Sequence, residues 1–317
     1  MLSRCLLAGL LLVADATAAF ERPSEYEQRR ALGNLLELPE AVRPLFTPDG
    51  DFQRVRLPGP NDWLTQHHEP GQTFEEYQES GANRPDDQRR VIYLFPLGEF
   101  PEDTTPDLEV VRAYAATFYQ MEVRLLPGHL PHDLEFSPRK NPRSGQRQIL
   151  APDIMAYLKT KLPADAYCLL GVTMEDLYPQ PSWNYVFGQA SLVERVGIFS
   201  FARYDPAFWG DERGKDYREI ILQRACKVLV HEAAHMFGLQ HCIHFECVVN
   251  GANHLAETDA QPQHLCVVCL RKIHLATGFD PVRRYRELGA FYRERKWWDE
   301  LDFVNRQLAR LPAAAGH

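Results

Sequence analysis

Apolar residues fall along this chain in two patterns. Apolar runs within 90–95 and 166–172 read as strands, the first ended by Pro96, and 121–126, interrupted by Glu122 and Arg124, reads as another. Helical periodicity separates them. Leu108, Val111, Ala115 and Phe118 share one face over 106–120. Ile154, Leu158 and Leu162 share another over 151–162, with Pro152 suited to a first turn. Residues 183–192 and 196–202 read as two more strands, and 188–201 is the candidate sheet edge for an added substrate strand. The longest helix is predicted over 215–237, where Tyr217, Ile220, Ile221, Cys226, Leu229 and Val230 supply apolar surface. This order predicts an α/β fold with a mixed, twisted sheet and a long helix.

The two ends differ from this middle part. Residues 20–88 are polar and rich in turn formers such as Pro48-Asp49-Gly50 and Pro58-Gly59-Pro60, with short helices predicted at 24–38 and 73–79. Such an arm packs against a main domain, here 89–279. Residues 280–317 form a helical extension in which Tyr285, Leu288, Phe291, Trp297 and Phe303 read as packing residues. Residues 1–19 carry the parts of a secretory signal peptide: Arg4, an apolar run at 5–14, and Ala16-Thr17-Ala18. The run is too short for a membrane anchor. Export is the expectation, and a cytoplasmic chain with an apolar N-terminal helix is the alternative.

Charge narrows the class of partner. With 35 basic and 43 acidic residues the net charge is -8, which argues against a nucleic-acid surface. The basic stretch at 139–147 reads as a solvated hairpin tip.

The chemistry concentrates at Val230-His231-Glu232-Ala233-Ala234-His235-Met236-Phe237-Gly238-Leu239-Gln240-His241-Cys242. On a helix His231 and His235 project from one face. Gly238 suits a left-handed residue that ends the helix and lets His241 return to the same point. Three neutral imidazoles leave a fourth position open for water, as in a catalytic zinc site, and Glu232 is placed to take that water's proton. This H-E-x-x-H-x-x-G-x-x-H spacing is a zinc-peptidase signature.

Four cysteines follow closely: Cys242, Cys247, Cys266 and Cys269. Their number and the C-x-x-C pair suit a closed structural zinc site, which would hold His241 from behind. Two disulfides, or a redox pair at Cys266 and Cys269, are the alternatives. His244, His254 and His264 read as loop or supporting histidines. Cys168 and Cys226 read as core residues.

Taken together, the histidine motif, the cysteine after it, the later C-x-x-C, and the stretches at 171–178, 182–191 and 197–204 resemble the archaemetzincin family of zinc metallopeptidases, its archaemetzincin-2 branch in particular. Asp62-Trp63-Leu64 adds to the likeness. The resemblance implies a metzincin-like domain with a catalytic zinc on His231, His235 and His241, Glu232 as general base and acid, and a second zinc on Cys242, Cys247, Cys266 and Cys269. It implies hydrolysis of a peptide or protein substrate, aminopeptidase-like for some members. One position departs: Val249 stands where the family has a methionine that floors the metal. That departure leaves a zinc-stabilised interaction protein as the rival reading, beside a hydrolase of non-peptide amides.

Overall fold

The computed structural model describes residues 20–128 and 136–312. The segment expected to act as a signal peptide lies outside them.

The arm opens with α1 (Glu25–Leu32), where Ser24 and Glu27 form a reciprocal capping box. Gly33, at φ +70°, stops the helix expected through 38, and a 3-10 turn at Leu35–Glu37 takes over. A single turn, α2 (Trp63–Gln66), precedes α3 (Phe74–Glu79), which Thr73 and Glu76 cap in the same way. Ala31, Leu32, Phe46, Phe52 and Tyr77 of the arm share one buried cluster with the long helix and the C-terminal helices.

Next come β1 (Val91–Leu97), α4 (Leu108–Tyr119) and β2 (Val123–Leu125). The first strand continues through Pro96, contrary to expectation. The Ile92 N–H donates to Glu122 O and the Leu94 carbonyl accepts from Leu126, so alternate residues face β2. Pro96 faces the same side beyond the last β2 pairing, at Leu94 and Leu125, and its missing N–H breaks no ladder bond.

The basic stretch is a hairpin of β3 (Pro138–Lys140) and β4 (Arg147–Leu150). Asn141 Oδ1 fixes its tip by accepting from the N–H groups of Arg143 and Ser144. Then follow α5 (Ala151–Lys159), β5 (Ala166–Thr173), β6 (Asp176–Tyr178), β7 (Gly188–Ala190) and β8 (Val196–Ser200). The main sheet has the order β2-β1-β5-β8-β7, and a small sheet has the order β3-β4-β6. β7 runs antiparallel to β8, while the other main-sheet pairs are parallel.

The strand expected at 183–192 is thus three residues long. The chain before it is drawn sideways, because Arg139 donates to the carbonyls of Pro181, Trp183 and Asn184. The edge expected at 188–201 is likewise β7 alone; β8 is interior and buried throughout.

The remaining helices are α6 (Tyr217–Met236), α7 (Leu255–Ala260), α8 (Val267–Thr277), α9 (Pro281–Arg295) and α10 (Trp298–Ala309). α6 packs on α4, β7 and β8. Three tyrosine hydroxyls reach its C-terminal half, Tyr119 donating to Val230 O, Tyr167 to Met236 O and Tyr77 to Phe237 O. The Met236 and Phe237 carbonyls are ones that the ending helix leaves open, while Val230 O is a second contact on a carbonyl inside the helix. Among the described residues no helix is long and apolar enough to cross a membrane.

Candidate metal centres

α6 carries His231 and His235 one turn apart at its end. Gly238, at φ +84°, then turns the chain, with its N–H donating to His235 O and that of Leu239 to Ala234 O. Ala82 of the arm sits 2.4 Å from where a Gly238 Cβ would be, so glycine is required there twice over. The turn returns His241 to the other two, with ring centroids 4.8 to 5.3 Å apart.

Each imidazole is held by its Nδ1. His231 donates to Val248 O (2.9 Å), His235 to Leu239 O (2.7 Å) and His241 to Glu69 Oε1 (2.7 Å). A carbonyl can only accept, so the proton lies on Nδ1 and a neutral ring keeps a lone pair on Nε2. The Nε2 atoms of His231 and His235 are 3.1 Å apart. Two lone pairs facing each other at that distance suit a shared cation. Burial, with the neighbouring histidines, pushes His231 well below the ordinary range and His235 to about 4, so both stay neutral.

Glu232 is buried beside them, and burial pushes its carboxyl up to about 8. β7 lies against it. A Cβ on Gly188 would stand 2.4 Å from Glu232 Oε1, which makes Gly188 a close-approach glycine. The cavity here is about 220 Å³ and is lined by the three histidines, Glu232, Gly188 and Val248. The ladder to β8 uses the backbone groups of Gln189, so those of Gly188 and Ala190 point to the open edge.

Next to this cavity the four cysteines meet. Their sulfurs all lie within 4.8 Å of one another and are buried. All six cysteines among the described residues are free thiols, including the buried Cys168 and Cys226. The N–H groups of Val249 and Cys266 point at Cys247 Sγ, at 3.4 and 3.3 Å. Hydrogen bonds from the three other cysteines hold Cys242 well below the usual thiol range, while burial holds Cys266 well above it. Four buried sulfurs in such conflict suit a divalent soft cation in a closed S4 set. Cys266 stands at the N-cap position of α8, with no cap bond from its side chain, and Cys269 lies in the first turn, so this helix start brings the C-x-x-C pair to the cluster.

Residues 159–275 match peptidase family M54. Archaemetzincin-2 of Macaca fascicularis is 39% identical over 271 residues, which cover 77% of this chain and 75% of that protein. Archaemetzincin-2 of Homo sapiens is 38% identical over 295 residues, covering 84% and 80%. This chain belongs to the archaemetzincin family. It is a zinc metallopeptidase. The crystal structure of archaemetzincin from Methanopyrus kandleri is 27% identical, covers 62% of this chain and 99% of that one, and superposes with a TM-score of 0.48.

Around the site of this archaemetzincin lie residues that no motif announced. Glu69 accepts from Trp63 Nε1 (2.8 Å) as well as from His241. Burial would raise its carboxyl, but these two donors outweigh it and hold it below the usual range. Trp63 fits against Gly251, where a Cβ would meet its ring at 2.4 Å. Gln72 donates to Gly238 O and accepts from Gln240 N–H and Lys272 Nζ. Asn250 donates to Cys242 O and Phe245 O and accepts from the Cys247 N–H. Lys227, one turn before His231, is buried and donates to the carbonyls of Thr258, Asp259 and Gln261. Burial lowers it to about 8.

The supporting histidines divide. His254 bonds Asp62 (3.0 Å), and Glu257 beside them accepts the Trp63 N–H; this third cluster docks the arm. His264 bonds Glu300 and stacks on Phe303. His244 is buried with both ring nitrogens unpartnered. Val249 is fully buried, and its carbonyl accepts the Cys242 N–H; of these two adjacent valines it is Val248 that lines the cavity.

Proposed function

We propose that His231, His235 and His241 hold the catalytic zinc of a metzincin-like site, and that Cys242, Cys247, Cys266 and Cys269 hold a second, structural zinc. The observation that carries this reading is the convergence of three imidazoles, each with Nδ1 engaged and Nε2 free, beside a buried carboxylate. Zinc bound there supplies a Lewis acid for the scissile carbonyl and makes water at the open position acidic.

The chain's own residues do the rest. Glu232 takes a proton from the attacking water and passes it to the leaving amine, a role suited to a carboxyl whose burial raises its proton affinity. Gly188 and Ala190 offer backbone donors and acceptors along the open edge of β7, where an extended peptide adds as a strand. Gly188 lets the Glu232 carboxyl pack directly against that edge strand.

The substrate class we propose is short peptides with a free amino end. The free amino end follows what the family resemblance implies for some members, and the short length is supported by an aromatic stack beside the cavity. His67 lies on Trp63 with centroids 3.8 Å apart and on Trp183 at 5.4 Å, joining the arm to the chain before β7. Both tryptophans line the cavity, so the stack limits how far a chain extends on that side.

The test compares wild type with Glu232→Ala, both zinc-loaded, on free and N-acetylated short peptides and on long unfolded chains. Wild type is expected to cleave the free short peptides fastest and the variant to lose about 10²- to 10⁴-fold. Equal cleavage by both proteins removes the role of Glu232. Equal cleavage of long blocked chains removes the proposed substrate class.

A further inference from the structure

We infer that Glu69 of the N-terminal arm is a positioning residue for His241, so that the arm is a working part of the metal site. The inference rests on the reading that His241 binds zinc. It adds a residue 172 positions away in the chain.

The three imidazoles are not held alike. His231 and His235 donate to backbone carbonyls of Val248 and Leu239, which are neutral and fixed by their own turns. His241 donates to a carboxylate, at 2.7 Å. An anionic acceptor orients the ring and also raises the basicity of its other nitrogen, which strengthens that nitrogen as a metal ligand. Three neutral imidazoles bring no charge to a dication. Glu69 brings a negative charge across the ring of His241.

Glu69 is itself placed with care. Trp63 Nε1 donates to the same Oε1 atom at 2.8 Å, and the Trp63 ring meets His241 edge-on at 4.9 Å. Trp63 in turn is fixed through its backbone N–H by Glu257 and through its ring by the absent Cβ of Gly251. Three residues after Glu69, Gln72 grips the Gly238–Gln240 turn that delivers His241 and accepts from Lys272 of α8. α8 is the helix that begins at the cysteine cluster. The arm therefore holds both His241 and the turn that delivers it, and one of its anchors is the helix that begins at the cysteines.

His241 is the ligand most in need of this. It lies beyond the end of α6, on a turn, whereas the other two histidines ride on the helix. A ring on a loop loses orientation more easily than one on a helix.

The test measures zinc affinity of the full chain by competition with a chelator, together with the visible spectrum of the protein with cobalt at the histidines and the melting temperature of the form that keeps zinc in the cysteine cluster only. Glu69→Ala is expected to retain the zinc of the cysteine cluster and to bind zinc at the histidines about ten- to hundredfold more weakly. Its cobalt spectrum is expected to change. The isosteric Glu69→Gln, which keeps an acceptor without the charge, is expected to recover part of the affinity. Melting temperatures of the Gln variant and wild type, each with zinc in the cysteine cluster only, are expected to agree, which separates positioning from folding and covers the case in which the Ala variant misfolds. Wild-type affinity and an unchanged cobalt spectrum in both variants overturn the inference. If wild type itself binds no zinc at the histidines, the parent reading fails instead.

Discussion

His241 and Cys242 are neighbours in the chain, yet their side chains belong to different environments. His241 keeps 17% of its side chain exposed and faces a cavity with a carboxylate and an open strand edge. Cys242 lies among buried sulfurs that fill one another's surroundings. Access separates the two clusters more than ligand type does. The histidine cluster leaves room for a substrate and has a base beside it. The cysteine cluster has neither, and its N–H donors to sulfur suit a charge that stays in place. In the proposed reading one peptide bond joins a place for chemistry to a place for stability, so the second constrains the first.

Cys266→Ser tests that coupling with the largest expected effect. The free energy of a structural zinc site is folding free energy, about 10 kcal/mol or more. The variant is expected to lose one zinc equivalent, to melt at a much lower temperature, and to bind zinc at the histidines more weakly because the loop behind His241 is released. Metal analysis with a melting curve checks this. Full turnover and affinity in the variant would uncouple the two clusters.

Gly188→Ala reaches the histidine side alone. The new Cβ would stand 2.4 Å from Glu232 Oε1, the mobile end of a side chain, so the carboxylate moves and the fold survives. We expect about a hundredfold loss of kcat with zinc content and melting temperature near wild type, as a displacement of about 1 Å in a catalytic group does. A wild-type kcat would show that Glu232 is not held where β7 places it.

The smallest effect is expected at Val249→Met, which restores the family's residue. Val249 is fully buried, so the longer side chain is expected to overpack the loop and cost about 1–3 kcal/mol, read by denaturant unfolding. A neutral or stabilising result would show that the floor of this site keeps room for methionine.

The parts of this arrangement that could be read from the sequence are those with short-range spacing. His231 and His235 are four apart on a long helix, Gly238 marks its end, and the cysteines come as a close group. The strand at 166–172 was legible as an apolar run and that at 196–202 by its alternation. Glu69, Gln72 and Asn250 were not, because their partners are set by how the arm docks or by one loop, and a single Glu or Gln has no period. Pro96 reads as a stop unless the neighbouring strand is known to have ended. The strand before Ala190 was shortened by Arg139, whose reach across the small sheet leaves no trace in local pattern. Gly188 matters because Glu232 lies over it, a contact 44 positions distant in the chain.

The division between the two clusters is tested most directly by removing metal in steps while turnover, zinc content and melting temperature are followed together. A chelator of moderate strength is expected to take one zinc equivalent from the more accessible histidine site. Turnover should vanish at that point, with the cysteine zinc and most of the thermal stability retained until a stronger chelator removes the second equivalent. Turnover that persists after the first equivalent has gone, or a fold that is lost with it, would contradict the assignment of catalysis to the histidines and stability to the cysteines.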